Sequence, residues 1–95
     1  MIPPKELNIA IELAKKYDVG RMLLIGSSVH KEFNEIGDYD FAIQDFPPGN
    51  FFKFYGELFR VFPKNVDLID LSGEMTKFKK IVLRDGILIY DKNSS

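Results

Sequence analysis

The chain has 95 residues and a formal net charge of -1, from 13 basic and 14 acidic side chains. This length suits one domain, so we expect residues 1–95 to form a single unit. The near-neutral charge gives no case for binding nucleic acid or a membrane surface. The lack of cysteine excludes disulfides and thiolate metal sites, and the single histidine excludes a multi-histidine zinc site. Any metal must therefore have oxygen ligands. With no signal peptide or membrane span predicted, we expect a cytoplasmic protein.

The order of the predicted elements indicates an α/β (α+β) fold, with a small mixed sheet of three to four strands and helices on one face. Apolar residues at helical spacing, and the prolines, glycines and capping residues around them, predict helices over 5–17, 51–62 and 73–84. Asn50 and Ser72 are the expected caps of the second and third helices. Short apolar or alternating runs predict strands over 22–25, 38–44, 66–71 and 87–90.

Three aspartates are the candidate metal ligands. Asp38 and Asp40 lie two residues apart on a predicted strand, so their side chains share one face. Like charges held side by side raise each other's pKa, and a cation between them relieves this repulsion. Asp67 lies on the next strand and reaches the same cation if the two strands are neighbours. An all-carboxylate site that leaves positions open for water and phosphate is typical of Mg²⁺.

Two alternatives stay open for these residues. Asp38 and Asp40 could be solvated residues at the start of a strand, although aspartate is depleted in strands. Asp67 could be an ion-pair partner or an edge residue. Asp70 is expected to face the other side of its strand, as a surface residue.

Gly26 and Ser27 directly follow the first predicted strand. Glycine allows a backbone to approach a phosphate closely, and serine adds a hydroxyl and an N–H donor. A turn rich in donors that faces a carboxylate site suits a nucleoside triphosphate, although a Gly-Ser pair alone is more often an ordinary turn.

The spacing of these motifs resembles a known family. Gly-Ser, ten residues, then Asp38-Tyr39-Asp40 matches the signature of the minimal nucleotidyltransferases in the polymerase-β-like superfamily. Val66-Asp67-Leu68-Ile69 is similar to the strand with the family's third carboxylate. Residues 81–90 resemble its closing helix, glycine turn and short strand ending in tyrosine.

The resemblance implies the nucleotidyltransferase fold and a metal-dependent transferase, with ATP as substrate and Mg²⁺ or Mn²⁺ as cofactor. Asp38, Asp40 and Asp67 would hold the metal and carry catalysis, and Gly26 and Ser27 would bind the nucleotide. Stand-alone domains of this kind resemble the MntA-like antitoxin half of a toxin–antitoxin pair. The partner implied is a HEPN-type toxin, with a tyrosine as the AMP acceptor. Self-association of the chain stays open.

The chain departs from the family pattern after Gly-Ser. The family has a small residue, arginine and glycine there, whereas this chain has Ser28-Val29-His30-Lys31. His30 occupies the arginine position, the glycine is lost, and Lys31 and Arg21 are the candidates to supply the charge. The alternative function is therefore a catalytically degenerate binding module that acts by contact alone. A small-molecule nucleotidyltransferase of the antibiotic-modifying type is a third hypothesis.

The second predicted helix has more apolar surface than one contact with a sheet requires. Such a contact uses a stripe of about 100°, and here the apolar residues cover about half of the helical wheel. We therefore expect some of its aromatic side chains to be exposed and to contact a partner. The residues concerned are Phe51, Phe52, Phe54, Tyr55 and Phe59.

Overall fold

The computed structural model describes residues 2–26 and 38–94. In these two ranges the helices are α1 (Pro4–Lys16), α2 (Phe51–Val61) and α3 (Lys77–Asp85). The strands are β1 (Arg21–Ile25), β2 (Asp38–Gln44), β3 (Asn65–Asp70) and β4 (Ile87–Asp91). The predicted elements are all present, and most of their ends agree within one residue. No helix in the described ranges has both the length and the apolar character that crossing a membrane requires.

The four strands form one mixed sheet in the order β3-β2-β1-β4. β1 pairs antiparallel with both β2 and β4. β2 and β3 are parallel, and α2 makes the crossover between them, because two parallel neighbours cannot be joined by a tight turn. The predicted α+β class and mixed sheet are confirmed.

The two faces of the sheet are covered differently. One face packs against α1 and α2 in the larger hydrophobic core, which is formed by Met22, Leu24, Tyr39, Phe41, Ile43, Val66 and Leu68 from the sheet with Ala10, Ala14, Phe54 and Leu58 from the helices. On the other face, Val82 of α3 packs with Leu23, Ile25 and Ala42 in a smaller cluster. The expectation of helices on one face holds for α1 and α2, while α3 covers part of the opposite face.

Of the two predicted helix caps, Asn50 occupies the N-cap position of α2 without a capping hydrogen bond from its side chain, whereas Ser72 does not cap α3. Asn50 ends a short 3-10 turn, and its side chain does not cap α2. Instead its Nδ2 donates a hydrogen bond of 2.8 Å to the backbone oxygen of Tyr17, which joins the start of α2 to the end of α1.

The third helix begins four residues later than predicted. Gly73 has a φ of +82°, which a right-handed helix cannot accommodate. Ser72 bonds to the carboxylate of Asp70. The cap of α3 is Thr76, whose hydroxyl accepts a hydrogen bond of 3.2 Å from the backbone N–H of Lys79.

Candidate active site

Two of the predicted carboxylates lie side by side on the sheet. Asp40 of β2 and Asp67 of β3 are direct partners in the parallel register. Their neighbours Tyr39, Phe41, Val66 and Leu68 all enter the core beneath α1 and α2. Because side chains alternate along a strand, both carboxylates lie on the opposite face, together with α3. Asp38 shares that face of β2 and is exposed.

The carboxyl of Asp40 is the electrostatic centre of this group. Burial raises its pKa above the ordinary value, and the negative charges of Asp67 and Asp38 raise it further. A hydrogen bond between the Asp40 and Asp67 side chains acts in the same direction. At neutral pH the folded chain therefore holds carboxylates whose mutual repulsion a cation or a proton would relieve.

Gly26 closes the site at the end of β1. Its φ of +69° is in the left-handed region that favours glycine. A Cβ atom at this position would lie 2.6 Å from Oδ2 of Asp40, so any other residue would displace that carboxylate. The chain turns here directly beside Asp40, as close approach of a backbone to a bound phosphate requires. Ser27, the other predicted nucleotide-binding residue, lies outside the described residues.

The donors suit a hard divalent cation, but they form an open set. Asp38, Asp40 and Asp67 offer only carboxylate oxygens, which Mg²⁺ and Mn²⁺ prefer. Within residues 2–26 and 38–94, no three acidic or histidine side chains are already grouped as a metal site. A cation would have to draw Asp38 towards the Asp40–Asp67 pair and would keep other coordination positions for water or phosphate. The metal role of these residues stays a prediction.

Arg21 does not replace the arginine missing from the family pattern. It lies at the first residue of β1, about 16.5 Å of extended chain away from Gly26 at ~3.3 Å per residue. Its guanidinium lies 3.5 Å from Asp91 and donates to Gln44 at 3.3 Å. His30 and Lys31 are outside the described residues.

A cavity of about 310 Å³ adjoins the site between β1 and α3. Its lining is mostly apolar and includes Gly26. Phe78 of α3 is 58% exposed beside it. The described residues that line it are Ile25, Gly26, Phe78, Ile81, Val82, Asp85 and Gly86. Its mostly apolar lining suits the largely apolar part of a small molecule.

The sequence did not identify two parts of this site. The hydroxyl of Tyr55 in α2 donates to the backbone oxygen of Val66 at 3.0 Å and lies 3.5 Å from Oδ1 of Asp67. Burial and the negative charge of Asp67 raise the pKa of Tyr55. The only signal was a tyrosine among phenylalanines in α2. For the cavity, the signal was Phe78 and Ile81, three apart in a lysine-rich helix.

The comparisons with known proteins agree with this fold. A family model described as polymerase beta, nucleotidyltransferase matches residues 8–95. A comparison with curated protein sequences found no match. Solved structures under 25% identical match over most of the chain, which shows a shared fold.

Three of these structures illustrate the likeness. The toxin–antitoxin MntA-HepT is 18% identical, with a TM-score of 0.69, over 97% of this chain and 75% of that one. A toxin–antitoxin structure with AMP-PNP is 20% identical, with a TM-score of 0.69, over 93% and 75%. A tri-AMPylated Shewanella oneidensis HEPN toxin in complex with MNT antitoxin is 19% identical, with a TM-score of 0.68, over 95% and 73%.

Proposed function

The chain belongs to the polymerase beta nucleotidyltransferase family, and from that premise we propose that it transfers AMP from ATP to a hydroxyl group on a HEPN-type protein partner. The observation that carries this proposal is the register pair Asp40–Asp67 beside the left-handed turn at Gly26. The structural neighbours support the choice of acceptor, since one of them contains an AMPylated HEPN toxin with its antitoxin.

The residues of the proposed site lie in a row across three adjacent strands of the sheet. Gly26 directly follows β1, Asp40 lies in the middle on β2, and Asp67 lies on the edge strand β3. In an in-line transfer the attacking and leaving oxygens are on opposite sides of the phosphorus. The leaving phosphates therefore lie on the Gly26 side, and the acceptor hydroxyl approaches from the Asp67 side.

Asp38, Asp40 and Asp67 would hold Mg²⁺ or Mn²⁺ together with the triphosphate. When bound, the metal supplies positive charge that neutralises the phosphate oxygens and the charge developing in the transition state. The chain's own contribution is to keep Asp40 close to Asp67 on adjacent strands of the sheet, so that these two carboxylates need little rearrangement on binding.

The transfer exchanges one bond at the α-phosphorus of ATP for another. The acceptor oxygen forms a bond to the α-phosphorus of ATP, and the bond from that phosphorus to the bridging oxygen of the β-phosphate breaks. Pyrophosphate leaves with the electron pair, and Asp67 helps to take the proton of the acceptor hydroxyl. The nucleoside lies in the cavity beside α3, where Phe78 offers an aromatic surface to the base.

A second candidate function is a catalytically degenerate antitoxin or scaffold that acts by contact alone. Its support is specific. The family's arginine and glycine are replaced at His30 and Lys31, and Arg21 contacts Asp91 at the far end of β1. The fold and the partner surface would remain, without transfer.

The test is incubation with ATP labelled at the α-phosphate, MgCl₂ and the HEPN-type proteins encoded in the same genome. We expect label on one partner and at least a hundredfold slower labelling by Asp40→Asn or Asp67→Asn. Asp70→Asn is the matched control, because Asp70 is an exposed aspartate of β3 that bonds to Ser72. It should label within about threefold of the wild-type rate. A stable complex without label would favour the contact-only function, and full activity of Asp40→Asn would contradict the proposed site.

A further inference from the structure

The outer side of α2 carries an open apolar groove of about 600 Å³. Phe52 is 80% exposed and Phe59 is 58% exposed, so the expectation of exposed aromatic side chains in this helix is confirmed. Phe54 and Leu58, on the inner side of the same helix, are fully buried. The α2 groove is lined by Phe52, Tyr55, Gly56, Phe59 and Arg60.

The floor of the α2 groove is Gly56, and the fold of the chain does not require a glycine at this position. Gly56 lies inside the helix, where glycine is a poorer helix former than alanine. Its φ is not in the left-handed region, and no atom of the described residues outside its own helical turns lies within 4 Å of where its Cβ would be. The missing side chain therefore serves no internal packing. What it provides is room for an external group between Phe52 and Phe59.

Tyr55 connects the α2 groove to the acceptor side of the active site. Tyr55 lines the groove, and its hydroxyl lies 3.5 Å from Oδ1 of Asp67. Asp67 is the residue beside which the acceptor hydroxyl must arrive if the proposed function is correct. A protein seated on the groove would therefore bring its neighbouring residues to the edge of β3, next to Asp67.

The charges at the rim of the groove indicate what it selects. Lys53 and Arg60 are exposed and lie seven residues apart, on the same side of α2. Glu57 accepts a hydrogen bond of 2.7 Å from Arg60 and lies 3.9 Å from Lys16, so its single negative charge is shared between these two cations and Lys53 keeps the rim positive. The rim therefore favours an acidic group on the partner.

We propose that the α2 groove docks the protein that carries the acceptor hydroxyl, through a helix of that protein. This helix places an apolar side chain over Gly56 between Phe52 and Phe59, and an acidic side chain near Lys53 or Arg60. From Phe52 to Arg60 the groove covers about 12 Å of α2, or roughly two helical turns, which suits contact between two helices. This docking rests on the proposed function, since the docked protein is the acceptor of the proposed AMP transfer.

A photocrosslinking experiment tests the location. The photoreactive residue p-benzoylphenylalanine replaces Phe59 in one variant and Phe78 in the matched control, because both phenylalanines are 58% exposed in helices of the chain. Each variant is irradiated in an extract of the source cells. In parallel, the wild-type chain labels its acceptor with AMP. We expect the labelled protein to crosslink from position 59 and not from position 78.

Each other outcome is decisive. Crosslinking of the labelled protein from position 78 alone, or equally from both positions, would overturn the docking site while the transfer stands. A crosslinked product formed by two copies of this chain would show that the groove is a self-association surface and would also overturn it. A protein crosslinked from position 59 without any label would remove the transfer, and with it the acceptor that the groove is proposed to dock. The absence of both a crosslink and a label would overturn the docking site and the transfer together.

A second pair of variants fills the α2 groove without harming the helix. Gly56→Leu places a bulky side chain on the floor, whereas Gly56→Ala adds one methyl group, and both raise helix propensity. We expect Gly56→Leu to label the partner at least tenfold more slowly than the wild type. Its melting temperature should not fall, and its thermal shift on ATP binding should be unchanged. Gly56→Ala should stay within about threefold of the wild-type rate. Labelling by Gly56→Leu at the wild-type rate would refute docking at this groove.

Discussion

Side chains alternate between the two faces of the sheet, and the two faces differ in what they carry: one is apolar and covered, and the other holds carboxylates and is partly open. The face beneath α1 and α2 is closed, and Tyr39, Phe41 and Ile43 of β2 are fully buried there. The opposite face is only partly covered by α3, and Asp38 and Asp40 of the same strand lie there. The closed face supplies the stability, and the open face can therefore tolerate the close approach of like charges.

The largest effect should come from the closed face. Phe54→Ala removes a fully buried ring of α2 and should lower the free energy of unfolding by ~3–5 kcal/mol. Phe52→Ala, two residues away and largely exposed, is the control and should change it by less than ~0.5 kcal/mol. Urea unfolding followed by circular dichroism measures both. Equal losses in the two variants would contradict the division of α2 into a buried and an exposed side.

The open face should instead respond to metal and pH. Mg²⁺ with ATP at a hundred times its dissociation constant should stabilise the wild type by about 2.7 kcal/mol, and Asp40→Asn should lose most of this gain. Thermal unfolding with and without Mg²⁺ and ATP measures it.

Without metal, the sign of the pH dependence follows from the raised pKa of Asp40. The folded chain binds this proton more tightly than the unfolded chain does. The contribution is therefore fully favourable below the unfolded pKa of about 3.9, and it is lost as the pH rises through the folded value. At neutral pH Asp40→Asn should melt at a higher temperature than the metal-free wild type. A lower melting temperature would show that the Asp40 carboxylate is stabilising.

The smallest effect should come from the cavity beside α3. Phe78→Ser should weaken ATP binding about tenfold, or ~1.4 kcal/mol, because it removes the exposed aromatic surface next to Gly26. Folding stability should change by less than ~0.5 kcal/mol. Isothermal titration with ATP and Mg²⁺ measures the first quantity and thermal unfolding the second. Unchanged affinity would place the nucleoside elsewhere on the open face.

The sequence predicted the sheet residues of the site better than the residues that surround them. Asp40 and Asp67 could be placed on one face because alternation along a strand is a strict geometric rule. Their direct pairing could not be predicted, since the parallel register of β2 and β3 depends on how α2 packs between them. Thr76 was missed as a cap because Ser72 precedes an apparently helical run, and only the backbone of Gly73 shows that the helix cannot begin there. Tyr55 was missed for a similar reason, since its contact with Asp67 joins two elements that meet only in the fold.

The close approach of Gly26 to Asp40 has a consequence for any substitution at position 26. An aspartate can persist in a sequence for many reasons, such as solubility or a surface contact. A glycine at position 26 has a narrower justification, because any side chain there would meet the carboxylate at 2.6 Å. A variant that kept all three aspartates but exchanged this glycine would have to shift the Asp40 carboxylate and strain a backbone whose φ is +69°. The glycine therefore constrains the geometry of the site more tightly than any one of its aspartates does.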